Sequence, residues 1–219
     1  MWFAGPARRV PEAGRPATLR LGFTLTRGMR VGLYGGSFNP VHAGHAHVAE
    51  TARKRLRLDR VIWLVSPQNP LKSSKDTASL AQRMEGVRKA ARGRAMIVSD
   101  AETAIGSTYT IDTLRVLKAR FPGVKFVWIM GADSLASFHR WRGWREIMGG
   151  APVAVVSRPW ISLKSRFSPA AQRFSHARRP ASQGPILAGA TPPRWIFLTG
   201  PLNFLSSTAM RARMGGSRS

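Results

Sequence analysis

The sequence contains no cysteine, which excludes disulfide bonds and thiolate metal sites. It has few acidic residues, 10 against 35 lysines and arginines, so its formal net charge is +25. Such a field attracts polyanions, either nucleic acid or small phosphorylated molecules, but it is equally compatible with an ordinary basic surface. Long hydrophobic runs are also missing, since no stretch approaches the ~20 apolar residues that span a bilayer. Hydrophobic residues still make up 43% of the chain, so we expect a soluble protein with a real core.

The N-terminal segment, residues 1–28, contains three prolines, five arginines and a single acid, Glu12, without any periodicity. It lacks the continuous apolar segment of a secretory signal, and its prolines disfavour an amphipathic helix. We therefore expect a disordered extension or a mis-set translation start, because Met29 directly precedes the first strand-like segment. The rest of the chain predicts one domain over residues 29–215 and a short tail at 216–219, in keeping with roughly 150 residues per domain.

From Met29 onwards, short apolar segments alternate with helical patterns. Six segments predict strands: Arg30–Tyr34, Arg60–Val65, Ala95–Val98, Val124–Met130, Pro152–Val156 and Arg194–Leu198. Five segments predict helices: His45–Leu58, Ser79–Arg92 with Ser79 as its cap, Tyr109–Phe121, a short one beginning at Trp144–Met148, and Ser207–Met214. Apolar strands that alternate with helices are typical of a parallel sheet covered on both faces. The sequence thus predicts an α/β fold, a doubly wound, Rossmann-like, mostly parallel sheet in a single domain, whereas residues 159–193 give no readable pattern.

Ligands of such sheets bind beyond the carboxyl ends of the strands. Four segments of this chain occupy those positions: Gly35–His45, Ser66–Lys72, Gly131–Ser134 and Leu198–Thr208.

The first of these segments, Gly35–His45, combines a glycine turn with two histidines. Gly35 and Gly36 allow a tight turn and a close approach of the backbone to a ligand. His42 and His45 are three residues apart at a helix start, on one face and next to N–H groups that favour anions. A phosphate here would meet two imidazoles and a helix N-terminus. A metal site is the competing interpretation, although it needs more ligands and acidic residues are sparse nearby.

Hydroxyl groups and an arginine mark the beginning of the last predicted helix. Ser206, Ser207 and Thr208 open it, and Arg211 follows within one turn. Hydroxyls, the N–H groups of a helix start and a guanidinium together suit phosphate oxygens. The same residues would also make an ordinary helix cap with a solvated arginine. The two-histidine turn elsewhere in the chain favours the phosphate interpretation.

These motifs resemble those of known enzymes. Gly35–His45 is similar to the fingerprint of the nucleotidyltransferase superfamily, a strand followed by a Gly-x-Phe-x-Pro turn and His-x-Gly-His. More closely, the ordered motifs between about Met29 and Arg213 resemble those of bacterial nicotinate-nucleotide adenylyltransferases. Leu205–Arg211 is similar to their ATP-phosphate segment, and Ser107–Leu114 to their Ser-Tyr-Thr segment beside the nicotinate.

The resemblance implies two adjoining pockets, with His42 and His45 as the catalytic residues. The residues implied for ATP are Gly35, Gly36, Ser37, Phe38, His42, His45, Lys72, Ser206, Ser207, Thr208 and Arg211. Those implied for nicotinate mononucleotide are Asn39, Tyr109, Thr110, Asp133 and Trp141. Arg83 is a weaker candidate for phosphate contact, because arginines on helices are usually solvated. Arg142 stands where relatives often have an aromatic residue, and it could instead approach the substrate carboxylate.

The implied reaction transfers the adenylyl group of ATP to nicotinate mononucleotide, with Mg²⁺ carried by ATP and no metal site on the protein. Adenylyltransferases for the amide mononucleotide or for phosphopantetheine are the alternatives within the enzyme class. A basic nucleic-acid-binding protein is a remote alternative, since the sequence lacks the interleaved aromatic and basic residues of a single-strand-binding surface. We therefore expect a cytoplasmic enzyme whose partners are its nucleotide substrates. We expect neither a membrane nor a nucleic acid as a partner, and the sequence is compatible with a homo-oligomer.

Overall fold

The computed structural model describes residues 23–67, 77–157 and 165–199. Within them, seven strands form one sheet: β1 (Arg30–Gly36), β2 (Arg60–Val65), β3 (Met96–Ser99), β4 (Lys125–Gly131), β5 (Val153–Val156), β6 (Arg178–Arg179) and β7 (Trp195–Leu198). Seven α-helices lie wholly within these residues: α1 (Ala43–Arg55), α2 (Leu80–Ala90), α3 (Ala101–Ile105), α4 (Thr110–Arg120), α5 (Ala132–Ser137), α6 (Trp144–Gly150) and α7 (Pro169–Arg173). Short 3₁₀ helices span Phe138–Arg140, Ser175–Ala177 and Ala181–Gly189.

The sheet is parallel throughout, with strand order β3-β2-β1-β4-β5-β7-β6. The chain runs outward from β1 to β3 and then crosses to the opposite side of β1 at β4. The register pairs Tyr34 of β1 with Ile129 of β4, and Gly36 of β1 with Val65 of β2. The strand order therefore reverses between β1 and β4, and a crevice at such a switch point is where doubly wound sheets bind ligands.

Two apolar cores lie on the two faces of this sheet. On one face, Leu33 and Trp128 pack with residues of α4, α5 and α6. On the other face, Val127 and Ile129 pack with residues of α1 and α2. Neighbouring residues of one strand point to opposite faces, so strands apolar at every position are covered on both sides. The predicted doubly wound, Rossmann-like α/β fold with helices on both faces is confirmed.

The observed helices and strands differ from the prediction at one helix start, which a side-chain cap determines, and at elements of only two to six residues. Helix α1 begins at Ala43 and not at His45, because the side chain of His42 caps it. Ser79 caps α2 as predicted, with its Oγ accepting from the backbone N–H of Gln82 at 3.2 Å. The sequence patterns missed α3, α5, α7 and β6, which are too short to show a period. The helix predicted at Ser207–Met214 lies outside the described residues.

Residues just before β1 contact the domain. Phe23 and Leu25, which lie within the predicted extension, pack against the core on the α4 face. The backbone N–H of Gly28 donates to the carbonyl of Gly123 at 2.9 Å. Residues 1–22 are outside the described part of the chain. No helix among residues 23–67, 77–157 and 165–199 has both the length and the apolar character that crossing a bilayer requires.

Candidate active site

The carboxyl end of β1 packs closely against its neighbours. Gly35 and Gly36 are the last two residues of this strand, and not the tight turn that was predicted. A Cβ on Gly35 would lie 2.5 Å from Cη2 of Trp128, and one on Gly36 would lie 3.0 Å from Cζ of Phe38. Phe38 is buried and adopts a φ of 47°, in the left-handed region that side-chain-bearing residues seldom enter. The glycines and the buried ring therefore hold this backbone tightly at the sheet edge.

The two histidines form a capping box at the beginning of α1. Nδ1 of His42 accepts from the backbone N–H of Gly44 at 3.0 Å, and Nδ1 of His45 accepts from the backbone N–H of His42 at 3.2 Å. The two ring centroids are 3.9 Å apart. Since Nδ1 is an acceptor in both rings, each neutral imidazole carries its proton on Nε2. Local backbone structure thus sets the tautomer and position of two neighbouring N–H donors.

Aromatic neighbours hold these imidazoles in place. His45 is half-buried, with its ring centroid 5.1 Å from that of Phe38 and 6.5 Å from that of Tyr34. His42 is only 5% exposed. Rings packed in this way lose little further freedom when an anion binds, which is the preorganisation that charge stabilisation requires.

The carboxyl end of β2 lies directly beside the carboxyl end of β1. The backbone N–H of Ser66 donates to the carbonyl of Gly36 at 3.1 Å. Arg83 of α2 reaches the same place, and its guanidinium donates to four carbonyl oxygens: those of Ser37 (2.8 Å), Ser66 (2.6 Å), Pro67 (2.7 Å) and Ala78 (2.9 Å). Arg83 is 3% exposed, and this burial lowers its pKa. The expectation that Arg83 is solvated is wrong, because the carbonyl groups take the place of water.

A buried carboxylate, which the sequence patterns missed, lies on the other side of Ser66. Glu102 of α3 is 2% exposed, and it accepts from Oγ of Ser66 and from Oγ1 of Thr113, the latter at 3.4 Å. Burial raises the pKa of Glu102, against the lowering effect of these hydrogen bonds. The only sequence signal is an acid just after a strand in a chain with 10 acids, and α3 is too short to show which side of it is buried.

Two of the predicted mononucleotide residues, Asp133 and Trp141, lie on the chain that follows β4. Asp133 is exposed at the start of α5, directly after β4. Trp141 is half-buried, and its ring lies edge-on to Trp128 at 6.3 Å and to Phe138 at 5.3 Å between centroids. The Trp128 ring also fills the space above Gly35. The side chain of Trp128 therefore contacts both the end of β1 and Trp141.

The start of helix α4 contacts Arg142, the residue after Trp141 in the chain. Tyr109 is the N-cap residue of α4, and Thr110 is its first residue. The guanidinium carbon of Arg142 lies 4.6 Å from the centre of the Tyr109 ring. Gly143 has a φ of 65°, and a Cβ on it would lie 3.2 Å from Ile111, so this segment packs closely on α4. The structure therefore brings Tyr109, Thr110 and the Trp141–Arg142 pair to one place.

The remaining predicted residues are divided between the described and the undescribed parts of the chain. Oδ1 of Asn39 accepts from the backbone N–H of Ala78 at 3.3 Å, so this side chain contacts the segment before α2. β7 ends at Leu198, opposite Val156 of β5 and at the same edge. Five predicted ATP-binding residues lie outside the described residues: Lys72, Ser206, Ser207, Thr208 and Arg211. Within residues 23–67, 77–157 and 165–199, no three His, Asp or Glu side chains are grouped to hold a metal ion.

Comparisons with known proteins show the family and how much of the chain is shared with it. The model of the Cytidylyltransferase-like family matches residues 33–213. A protein of Caulobacter sp. (strain K31), named a probable nicotinate-nucleotide adenylyltransferase, is 74% identical over 185 residues, which cover 84% of this chain and 98% of that protein. A protein of the same name from a strain of Methylorubrum extorquens is 54% identical over 185 residues, covering 84% of this chain and 100% of that protein.

Solved structures share the fold. Plasmodium falciparum nicotinic acid mononucleotide adenylyltransferase complexed with NaAD is similar with a TM-score of 0.65 and 15% identity, over 84% of this chain and 83% of that one. The same enzyme complexed with APC gives a TM-score of 0.62 and 15% identity, over 83% and 82%. At this identity, the likeness shows the common architecture alone.

Proposed function

Because the chain belongs to the cytidylyltransferase-like family, we propose that it transfers the adenylyl group of ATP to nicotinate mononucleotide. The products are nicotinate adenine dinucleotide and pyrophosphate, in a step of NAD biosynthesis. One observation carries the proposal: His42 and His45 both commit Nδ1 to the backbone, so two adjacent Nε2–H groups mark the start of α1. The names of the relatives that share most of this chain support the same activity.

The reaction needs positioning and charge stabilisation more than a strong base. An oxygen of the mononucleotide phosphate attacks the α-phosphorus of ATP, and the bond from that phosphorus to the leaving pyrophosphate breaks. The attacking group is already an anion, so the barrier depends on alignment and on the charge that develops on the phosphate oxygens. In this proposal, the Nε2–H groups of His42 and His45 donate to those oxygens.

The nucleotides are assigned to the two sides of the switch point. On the ATP side, the backbone of Gly35, Gly36 and Ser37, with Phe38 beneath it, receives the nucleotide. From the resemblance, Lys72, Ser206, Ser207, Thr208 and Arg211 are added as partners of its phosphates.

The mononucleotide is assigned to the β4 side of the same edge. Trp141 offers an aromatic face to the pyridine ring, Asp133 receives ribose hydroxyls, and Tyr109 and Thr110 lie on the same side. Asn39 is added from the resemblance, although its side chain contacts the segment before α2. The cation of Arg142, held over Tyr109, favours the acid mononucleotide over the amide because a carboxylate gains more from a nearby guanidinium than a neutral amide does.

Mg²⁺ is proposed to enter with ATP as the counterion of its phosphates, where it neutralises charge on the leaving pyrophosphate. This role requires few or no protein ligands. We also propose a cytoplasmic location.

A pyrophosphate-release assay on the full chain tests the proposal with three acceptors: nicotinate mononucleotide, its amide and phosphopantetheine. We expect the highest kcat/KM with the acid mononucleotide. A higher value with phosphopantetheine or the amide would assign the chain to that substrate instead. No pyrophosphate release, together with tight and strongly salt-dependent binding of DNA or RNA, would point to a nucleic-acid-binding protein.

A further inference from the structure

Arg83 is a buried cation that is stabilised by carbonyl groups. None of the ion pairs among the described residues involves it. Four of its five N–H donors bind backbone oxygens at 2.6 to 2.9 Å. Removing a charge from water is costly unless such bonds replace the lost hydration. The fold therefore retains a buried guanidinium, with its positive charge, at the edge where anionic nucleotides are proposed to bind.

The carbonyl groups that Arg83 binds belong to three separate segments. Ser37 lies in the turn after β1, five residues before His42. Ser66 and Pro67 follow β2, and Ala78 precedes α2. One planar group thus fixes the turn after β1 relative to the chain on both sides of residues 68–76.

No other side chain could make this set of bonds. A lysine offers three donors on one tetrahedral nitrogen, and a glutamine offers two, whereas a guanidinium offers five in one plane. Ser66 is also held from its other side, since its hydroxyl donates to Glu102. Ser66 is therefore held by both its backbone and its side chain. Because Arg83 donates to the carbonyls of Ser66 and Ser37 alike, it holds Ser37 in place relative to Ser66.

We propose that Arg83 is a positioning residue for the phosphates of ATP. It sets the backbone at Ser37, directly after β1, against the chain that follows β2, and it adds a positive charge next to that backbone. This inference rests on the proposed function, since it assigns Arg83 to the ATP side of the site. A solvated Arg83, as expected from the sequence, could not have positioned the backbone in this way.

The test compares Arg83→Lys and Arg83→Gln with wild type. Arg88→Gln is the matched control, because Arg88 is exposed on the same helix and, within the described part of the chain, forms an ion pair only with Glu85 at 3.7 Å. The readouts are the Kd of a non-hydrolysable ATP analogue by calorimetry, the KM of each substrate, kcat, and folding by circular dichroism. We expect Arg83→Gln to weaken analogue binding and raise the KM of ATP about tenfold, with less than about twofold change in the mononucleotide KM. Arg83→Lys should fall between it and wild type, and Arg88→Gln should match wild type.

Folded variants that bind the analogue as wild type does would overturn the proposal. So would equal losses for both substrates, because a general loss of structure predicts those. If Arg83→Gln does not fold, Arg83→Ala is assayed with and without millimolar guanidinium chloride, with sodium chloride as the salt control. Restored analogue binding with guanidinium alone supports the positioning role. Loss of folding without such rescue would assign Arg83 to stability alone.

Failure of the proposed function gives a different pattern. Wild type would then release no pyrophosphate with any acceptor. Analogue binding does not depend on turnover, so a weaker Kd in Arg83→Gln would still place Arg83 in a nucleotide site. Normal turnover in wild type with an unchanged Kd in Arg83→Gln would refute the Arg83 inference alone.

Discussion

The ring centroids of His42 and His45 lie 3.9 Å apart, and each ring accepts a backbone N–H at Nδ1. The capping of α1 and the proposed chemistry therefore use opposite nitrogens of the same rings. A substitution can separate the two roles, because an asparagine places its amide oxygen near the position of Nδ1 and has nothing in the place of Nε2.

For His45→Asn we expect a fall in kcat of about 10² to 10³, the size of effect seen when one transition-state donor is removed. The acceptor for the backbone N–H of His42 is kept, so the unfolding midpoint should stay close to wild type. His45→Ala should show the same fall in kcat. It should also lose about 1 kcal/mol of unfolding free energy, because the hydrogen bond that Nδ1 of His45 accepts from the backbone N–H of His42 is lost. Steady-state kinetics and urea unfolding measure both. Equal losses in kcat and in mononucleotide affinity would argue against charge stabilisation by His45.

Arg142 gives a prediction about substrate choice. Its guanidinium is exposed over the Tyr109 ring, beside Trp141. For Arg142→Gln we expect kcat/KM for the acid mononucleotide to fall about tenfold while that for the amide changes little, because a charge-assisted hydrogen bond is lost with one substrate only.

The control for this prediction is Arg145→Gln. Arg145 is likewise exposed, with its guanidinium carbon 4.8 Å from the centre of the Trp144 ring, so it matches Arg142 in charge and in aromatic stacking. It should leave the ratio of the two kcat/KM values unchanged. A ratio that stays constant in Arg142→Gln would remove this residue from acid recognition.

The predictable part of the fold is the part that local pattern determines. Arg60–Val65 was predicted with its observed ends, since a strand buried on both faces is apolar at nearly every position. The turn at Asn39 and Pro40 was predicted because proline marks backbone conformation directly. The tight turn predicted at Gly35 and Gly36 is wrong, because both residues continue β1 and pair with β2. The start of α1 was wrong by two residues, because histidine is an unusual cap and its role depends on the position of one nitrogen.

Arg83 and Glu102 show what local pattern does not contain. The carbonyl oxygens around Arg83 include that of Ser37, which lies 46 residues away in the sequence. Glu102 is buried against Ser66, 36 residues away. Their burial follows from the sheet order that brings β1, β2 and β3 side by side. The sequence periodicity of α2 and α3 does not predict it. Sequence patterns therefore do not predict the burial of a charged helix residue when its contacts are distant in the sequence.

Glu102 makes a pH dependence testable. Burial raises its pKa above 4.5, the ordinary value of a glutamate, so the folded state holds this proton more tightly than the unfolded state. The stability that Glu102 contributes is thus fully present below pH 4.5 and is lost as the pH rises through its raised folded pKa. We expect the unfolding free energy of wild type minus that of Glu102→Gln to decrease as the pH rises across this window.

Urea unfolding at several pH values measures this difference, and subtraction removes the effect of the overall positive charge. Glu85→Gln is the control, since Glu85 is exposed on α2 and its replacement should produce no comparable trend. A wild-type minus Glu102→Gln difference that does not change with pH would mean that burial of Glu102 does not affect its protonation.

Gly35 connects stability with the proposed mononucleotide pocket. A Cβ at this position would lie 2.5 Å from Cη2 of Trp128, so Gly35→Ala should cost about 1–3 kcal/mol through overpacking. The Trp128 ring would have to move, and it packs edge-on against Trp141, so the KM of the mononucleotide should rise as well. Gly149→Ala is the control, since nothing lies within 4 Å of a Cβ there.

Trp128→Phe tests the cause of that cost. The smaller ring makes room for the new Cβ, and it removes an indole N–H that is buried without a hydrogen-bond partner within the described part of the chain. The double variant should therefore lose less unfolding free energy than the sum of the two single variants, by about 0.5 kcal/mol or more. Its mononucleotide KM should also lie closer to wild type than that of Gly35→Ala. Additive losses in a double-mutant cycle would show that Gly35 and Trp128 do not compete for the same space. Any effect of Gly35→Ala on the mononucleotide KM would then have to reach Trp141 through residues other than Trp128.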